Sequence, residues 1–137
     1  MSWTVEYAPE RELVVVTASG EIRDEDARAQ TVEALYLFEQ NRAAGILADY
    51  SDAISEVTLA ELYWLPDYAA VIGTPWNIPV AVVLPRKPYR LESFQFFELV
   101  CSNAGWNVKL FESKAMAEDW LAQAAPVQRH AEPPVPA

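Results

Sequence analysis

The sequence predicts an α/β domain, a mostly parallel sheet of about five strands covered by about four helices in the order β-β-α-β-α-β-α-β-α. Three observations predict it. Gly45-Ile46-Leu47-Ala48 and Ile78-Pro79-Val80-Ala81-Val82-Val83-Leu84 are apolar runs without polar alternation, as in strands covered on both faces. Segments of helical period alternate with these runs, which argues for parallel strands joined by crossover helices. Two adjacent strand-like stretches at the start then read as an antiparallel hairpin.

Trp3-Thr4-Val5-Glu6-Tyr7 alternates with period two, and the β-branched Leu13-Val14-Val15-Val16-Thr17 follows a turn at Ala8-Pro9-Glu10-Arg11. Ser19-Gly20 is expected to break the second strand. Asp24-Glu25-Asp26 supplies a cap and an acidic first turn for a helix ending near Arg42, with Val32, Leu35, Tyr36 and Glu39 on one face. The strand from Gly45 is expected to end before Asp49-Tyr50-Ser51-Asp52, which places those residues at the carboxyl edge of the sheet, where open α/β sheets bind. Thr58-Leu59-Ala60-Glu61 matches a capping box opening a helix over 58–72, kinked at Pro66.

After the strand at 78–84 comes a stiff basic loop, Pro85-Arg86-Lys87-Pro88-Tyr89-Arg90. Phe94, Phe97, Cys101 and Ala104 mark one face of the next helix, Phe96 and Val100 a second, and Gly105 stops it. Asn107-Val108-Lys109-Leu110-Phe111 is a last, more polar strand. Ser113 caps a final helix with Met116, Ala117, Trp120 and Leu121 facing inward. Residues 1–123 form one domain, and the proline-rich stretch 124–137 reads as a disordered tail.

With 137 residues and 52% hydrophobic composition the chain can bury a real core. A net charge of −10 and a pI near 4.4 make nucleic acid and membrane surfaces poor partners. No run approaches the ~20 apolar residues of a membrane span. A single cysteine, Cys101, and the lack of a signal-peptide pattern predict a cytoplasmic protein.

The reading of chemistry is equally negative. The lone histidine, His130, lies in the tail, Cys101 sits on an apolar helix face, and four glycines in the chain form no phosphate loop. The carboxylates Asp24, Asp26, Asp49, Asp52 and Glu56 read as solvated loop acids rather than a Mg²⁺ site or an acid/base pair, so neither metal nor cofactor is expected. Arg86, Lys87 and Arg90 could hold an anionic ligand or an acidic partner segment beside Asp49, Asp52, Tyr50 and Tyr89. Tyr63, Trp64 and Tyr68 cannot all face the sheet from one regular helix, so Trp64 or Tyr68 is expected to be covered by a second subunit or a ligand.

The stretches Val14-Val15-Val16-Thr17-Ala18-Ser19-Gly20-Glu21-Ile22, Leu47-Ala48-Asp49-Tyr50-Ser51-Asp52, Val80-Ala81-Val82-Val83-Leu84-Pro85 and Leu110-Phe111-Glu112 followed by 117–121 resemble the STAS domain. The likeness spans about residues 3–122 and is closest to the stand-alone SpoIIAA-like subfamily. It implies a regulatory interaction domain without catalysis. In the anti-sigma factor antagonists of this group a serine after an aspartate, at the start of the helix following the aspartate strand, is phosphorylated. Here Thr58 occupies the matching place without that aspartate or the following glycine, which leaves Thr58 a helix cap; Thr58 and Ser51 are the candidate acceptors. The expected function is a homodimeric interaction or regulatory domain, and the alternative is a carrier or sensor of a small apolar or amphipathic ligand near the helix 58–72.

Overall fold

The computed structural model describes residues 2–56, 78–103 and 105–130, with side chains through Ala124. Five strands form one mixed sheet in the order β1-β2-β3-β4-β5. They are β1 (Ser2–Ala8), β2 (Leu13–Ile22), β3 (Gly45–Ser55), β4 (Pro79–Val83) and β5 (Asn107–Phe111). β1 runs antiparallel to β2, and the β2–β3, β3–β4 and β4–β5 pairings are parallel. Three helices lie among the described residues: α1 (Asp24–Asn41), α2 (Leu91–Asn103) and α3 (Lys114–His130). The helix expected over 58–72, with its capping box and kink, and the inward position of Ala104 lie outside the described residues.

Strand alternation divides the core between the two sides of the sheet. Val14, Val16, Ile46, Val80, Val82 and Val108 pack with Leu35 and Phe38 of α1 and Phe94 and Cys101 of α2. Leu13, Leu47, Ala81 and Val83 point the other way, onto Ala117 and Leu121 of α3. Contact on that second side is close: a Cβ built on Gly45 would lie 3.0 Å from the Pro79 carbonyl oxygen and 3.1 Å from Leu121 Cδ2.

Several boundaries differ from the sequence reading. β2 does not stop at Ser19-Gly20 but continues to Ile22, shifting register between Thr17 and Ser19, with Gly20 at φ 74°. A bulge next to a glycine lets a strand bend without ending. β3 likewise passes through Asp49–Asp52 and ends at Ser55. Beyond Asp49 it pairs, among the described strands, with β2 alone, from Ser19↔Asp52 to Ile22↔Ser55, because β4 stops opposite Asp49. The polar burst marks the end of the pairing with β4 rather than the end of the strand.

α1 is capped by Arg23, one residue before the acidic triplet, and the Arg23 backbone N–H donates to Asp26 Oδ2 at 3.0 Å. Its buried face is Ala27, Gln30, Ala34, Leu35 and Phe38; Tyr36 is 61% exposed and Val32 is also exposed. The expected stripe was rotated because it gave the two bulkier side chains precedence over alanines and a glutamine. α2 ends as expected: Gly105 has φ 94°, and Trp106 N–H donates to the Cys101 carbonyl at 3.0 Å. On α3, Ala117 and Leu121 are buried, and Trp120 packs on Phe111 with ring centroids 5.7 Å apart, but Met116 is 62% exposed. The α3 backbone continues to His130 through residues expected to start a disordered tail. Ala122-Gln123-Ala124-Ala125 is strong helix-forming sequence, which the proline content beyond it concealed.

Candidate functional site: a polar strand end and an apolar cavity

Asp49 and Tyr50 are adjacent in β3, and the pleat sends them to opposite sides of the sheet. The two sides have different chemistry.

On the α3 side Asp49 is buried, and its carboxylate is engaged by its own neighbours. Oδ1 accepts the Ser51 backbone N–H at 3.0 Å and the Ser51 hydroxyl at 2.7 Å, while Lys114 Nζ stands 3.9 Å from Oδ2. This is a local aspartate turn set inside a strand, completed by a lysine from the first turn of α3. Next to it, Arg86 pairs with Asp52, and the Arg86 backbone N–H donates to the Ser51 carbonyl at 3.0 Å. The basic loop is thereby tied to the edge of β3 that runs on past β4. Lys87 and Arg90 are exposed, and among the described residues neither makes a side-chain ion pair. Glu56 lies 3.5 Å from Arg23 Nε. Asp26, Asp49, Asp52 and Glu56 are thus each held by their own neighbour.

On the α1 side the Tyr50 hydroxyl donates to Gln30 Oε1 at 2.8 Å. Burial pushes the Tyr50 phenol up to about 12, so it keeps its proton at neutral pH. Gln30 is only 2% exposed, and its Nε2 finds no hydrogen-bond partner among the described residues. Tyr50 also meets Phe94 edge to face at 6.5 Å, and Tyr89 meets the same ring at 5.5 Å. Both tyrosines are therefore packed into the core beside α2 rather than displayed beside the arginines.

These groups border a cavity of about 110 Å³ between α1, α2 and strands β2 to β4. Its walls are apolar, with Val16, Leu35, Ile46, Val82, Phe94 and Phe97 prominent and Gln30, Thr31, Tyr50, Ser55 and Ser93 as the polar members. The Thr31 hydroxyl is already bonded to the Ala27 carbonyl at 2.8 Å. Cys101, fully buried nearby in the same core cluster, has its thiol pushed up to about 12 by burial, which leaves it unreactive.

Of the residues singled out from sequence, Asp49, Ser51, Asp52 and Arg86 come together at the carboxyl end of the strands. Tyr50 and Tyr89 gather instead around Phe94, and Lys87 and Arg90 stand in the exposed loop. Thr58, Trp64 and Tyr68 lie outside the described residues. Sequence reasoning missed Lys114 and Gln30. Lys114 carries no signal in its own neighbourhood; Gln30 does, as a polar residue at the i, i+4 and i+8 spacing of Ala34 and Phe38.

No protein-family model matches the chain, and no curated protein matches it. Among solved structures the chain resembles an uncharacterized protein of the DUF3478 family with a SpoIIAA-like fold from Shewanella loihica PV-4. The two share 18% identity at a TM-score of 0.53, over 88% of this chain and 92% of that one. It also resembles the anti-sigma factor antagonist SpoIIAA in its unphosphorylated form, at 11% identity and a TM-score of 0.50, over 88% of this chain and 97% of that one. The fold is the STAS-like fold of SpoIIAA. No helix among the described residues is long and apolar enough to cross a membrane.

Proposed function

We propose that this chain is a non-enzymatic regulatory domain of the cytoplasm that acts through protein contact and self-associates as a homodimer. The observation that carries the reading is the match to SpoIIAA, which takes in almost the whole of both chains rather than a shared sub-motif. A protein described as an anti-sigma factor antagonist is a regulator that works by binding. The rim of Arg86, Lys87 and Arg90 suits an acidic segment of such a partner, since two of its three cations have no described ion pair to break on contact.

Phosphorylation is not part of the reading. Ser51 is half-buried with its hydroxyl committed to Asp49, and a phosphate there would face that carboxylate. Intact-mass analysis of protein from cells should show no stoichiometric phosphate on Ser51 or Thr58. A major species carrying one would reinstate the switch.

Sedimentation of the full chain tests the assembly. A dimer of the 15.4 kDa chain is expected, and replacing Trp64 and Tyr68 together with glutamate should give a folded monomer. A native protein that stays monomeric at every concentration would remove the homodimer from the proposal.

A second reading, a carrier or sensor of a small apolar or amphipathic molecule, draws on the cavity beside Gln30. A domain that regulates by contact can also report the occupancy of its own interior, and one apolar pocket with a few placed polar groups is the usual form of such a site.

A further inference from the structure

We propose that the cavity between α1, α2 and the sheet binds a small, uncharged, largely apolar molecule bearing one hydrogen-bond acceptor oxygen, which Gln30 Nε2 recognises. The inference rests on the sensor reading and specifies its ligand class.

Three features of the cavity select that class. The first is size. At about 110 Å³ it is somewhat smaller than the roughly 150 Å³ apolar cavity known to admit benzene, so the occupant is a single small ring or a short branched chain. The second is charge. None of the described lining residues is ionisable in the neutral range, and an ion would lose its hydration without a counter-charge. The third is the direction of the hydrogen bond. The Tyr50 hydroxyl donates to Gln30 Oε1 at 2.8 Å, which occupies the oxygen end of the amide. What remains is Nε2, a donor, buried with no partner among the described residues. Native interiors rarely leave such a donor unpaired. A ketone, aldehyde, ester or ether oxygen would satisfy it while the rest of the molecule meets Ile46, Val82, Phe94 and Phe97. Water is the weaker occupant, because most of the lining is aliphatic or aromatic and offers it nothing to bond.

Cyclopentanone and methylenecyclopentane form a suitable probe pair, since they differ only in replacing the acceptor oxygen by a CH₂ group. Each is titrated into the full-length protein and followed by amide NMR, including the side-chain NH₂ resonances. Cyclopentanone is expected to shift the Gln30 side-chain resonances together with the backbone amides of Ala34, Ile46 and Phe94. It should bind about tenfold more tightly than methylenecyclopentane. In Gln30→Met, which keeps the bulk and removes the amide, the preference should vanish. Equal binding of both probes within the cavity would overturn the acceptor recognition and leave the sensor reading standing. Shifts from neither probe, or shifts confined to the surface, would remove both. A preference that persists in Gln30→Met overturns the assignment to Gln30. Should that variant not fold, the response of the native Gln30 side-chain amide decides: an unmoved resonance at saturating cyclopentanone refutes it. None of these outcomes bears on dimerisation, which sedimentation reads separately.

Discussion

Asp49 and Tyr50 share a peptide bond and little else. Asp49 faces α3, where the packing is dense enough that a Cβ on Gly45 would press on Pro79, and its carboxylate is met at Oδ1 by two Ser51 donors and near Oδ2 by Lys114. Tyr50 faces α1 and a cavity, and the pair it forms with Gln30 leaves one buried donor without a described partner. The difference teaches how to tell a polar group that serves the fold from one available to a ligand. Burial does not separate them, since Asp49 and Gln30 are both buried. Satisfaction does: the first network closes on itself, and the second has an open end.

The comparison breaks first where packing is tightest. Leu121 is fully buried against Leu13, Leu47 and Ala81 on the α3 side, so Leu121→Ala should cost about 3 kcal/mol of unfolding free energy, read from urea midpoints. A loss under about 1 kcal/mol would show that the α3 side relaxes around a void as readily as the cavity side does.

Next in size is Asp49→Ala. It removes the acceptor for the Ser51 N–H and hydroxyl and the anchor near Lys114, and should cost about 1–2 kcal/mol. An unchanged midpoint would mean that solvent replaces the carboxylate without loss, and the closed network would have no structural weight.

Alkaline titration reports on the cavity side. The folded Tyr50 phenol, pushed up from 10.0 to about 12, ionises later than it does in the unfolded chain. The unfolded state therefore releases its proton first, and stability falls as pH rises from about 10 toward 12. Cys101, pushed up from 9.0 to about 12 by the same burial, adds a loss that begins about one unit earlier. Tyr50→Phe should flatten the upper part of this decline. Identical alkaline profiles for the native protein and Tyr50→Phe would show the phenol to be solvated.

Much of this architecture can be read from the sequence. The apolar runs at 45–48 and 78–84 place β3 and β4 because double coverage forbids polar alternation, and Gly105 marks the end of α2 because the chain there needs a positive φ. What escapes the sequence is the second half of β3. Asp49–Asp52 resembles the exit from a sheet, and only the matching overrun of β2, made possible by its bulge, keeps it a strand. The site divided for the same reason. With Asp49–Asp52 taken as a loop, Asp49 and Tyr50 are free to face one ligand together; in a strand they cannot. Gln30 was overlooked because a glutamine among alanines suggests a solvated face. Its burial depends on Tyr50, twenty residues away, which local periodicity does not register.

The smallest expected effect is the most discriminating. Gln30→Leu alone strands the Tyr50 hydroxyl, and Tyr50→Phe alone leaves Gln30 Oε1 without its donor, so each single change should cost about 1 kcal/mol. Changing both removes the bond and the unpaired Nε2 together, and replaces them with apolar groups of similar shape beside a cavity that is already apolar. A pair replaced in this way is close to neutral or stabilising. The double variant should therefore match the native protein within about 0.5 kcal/mol, giving a coupling energy of roughly 1–2 kcal/mol across the cycle. A bond that contributes net stability would behave otherwise, with the double variant costing about as much as either single change, about 1 kcal/mol. Equal stability in the double variant, together with loss of the preference for cyclopentanone, would mean that Gln30 and Tyr50 are dispensable to the fold and are held in the core by what they bind.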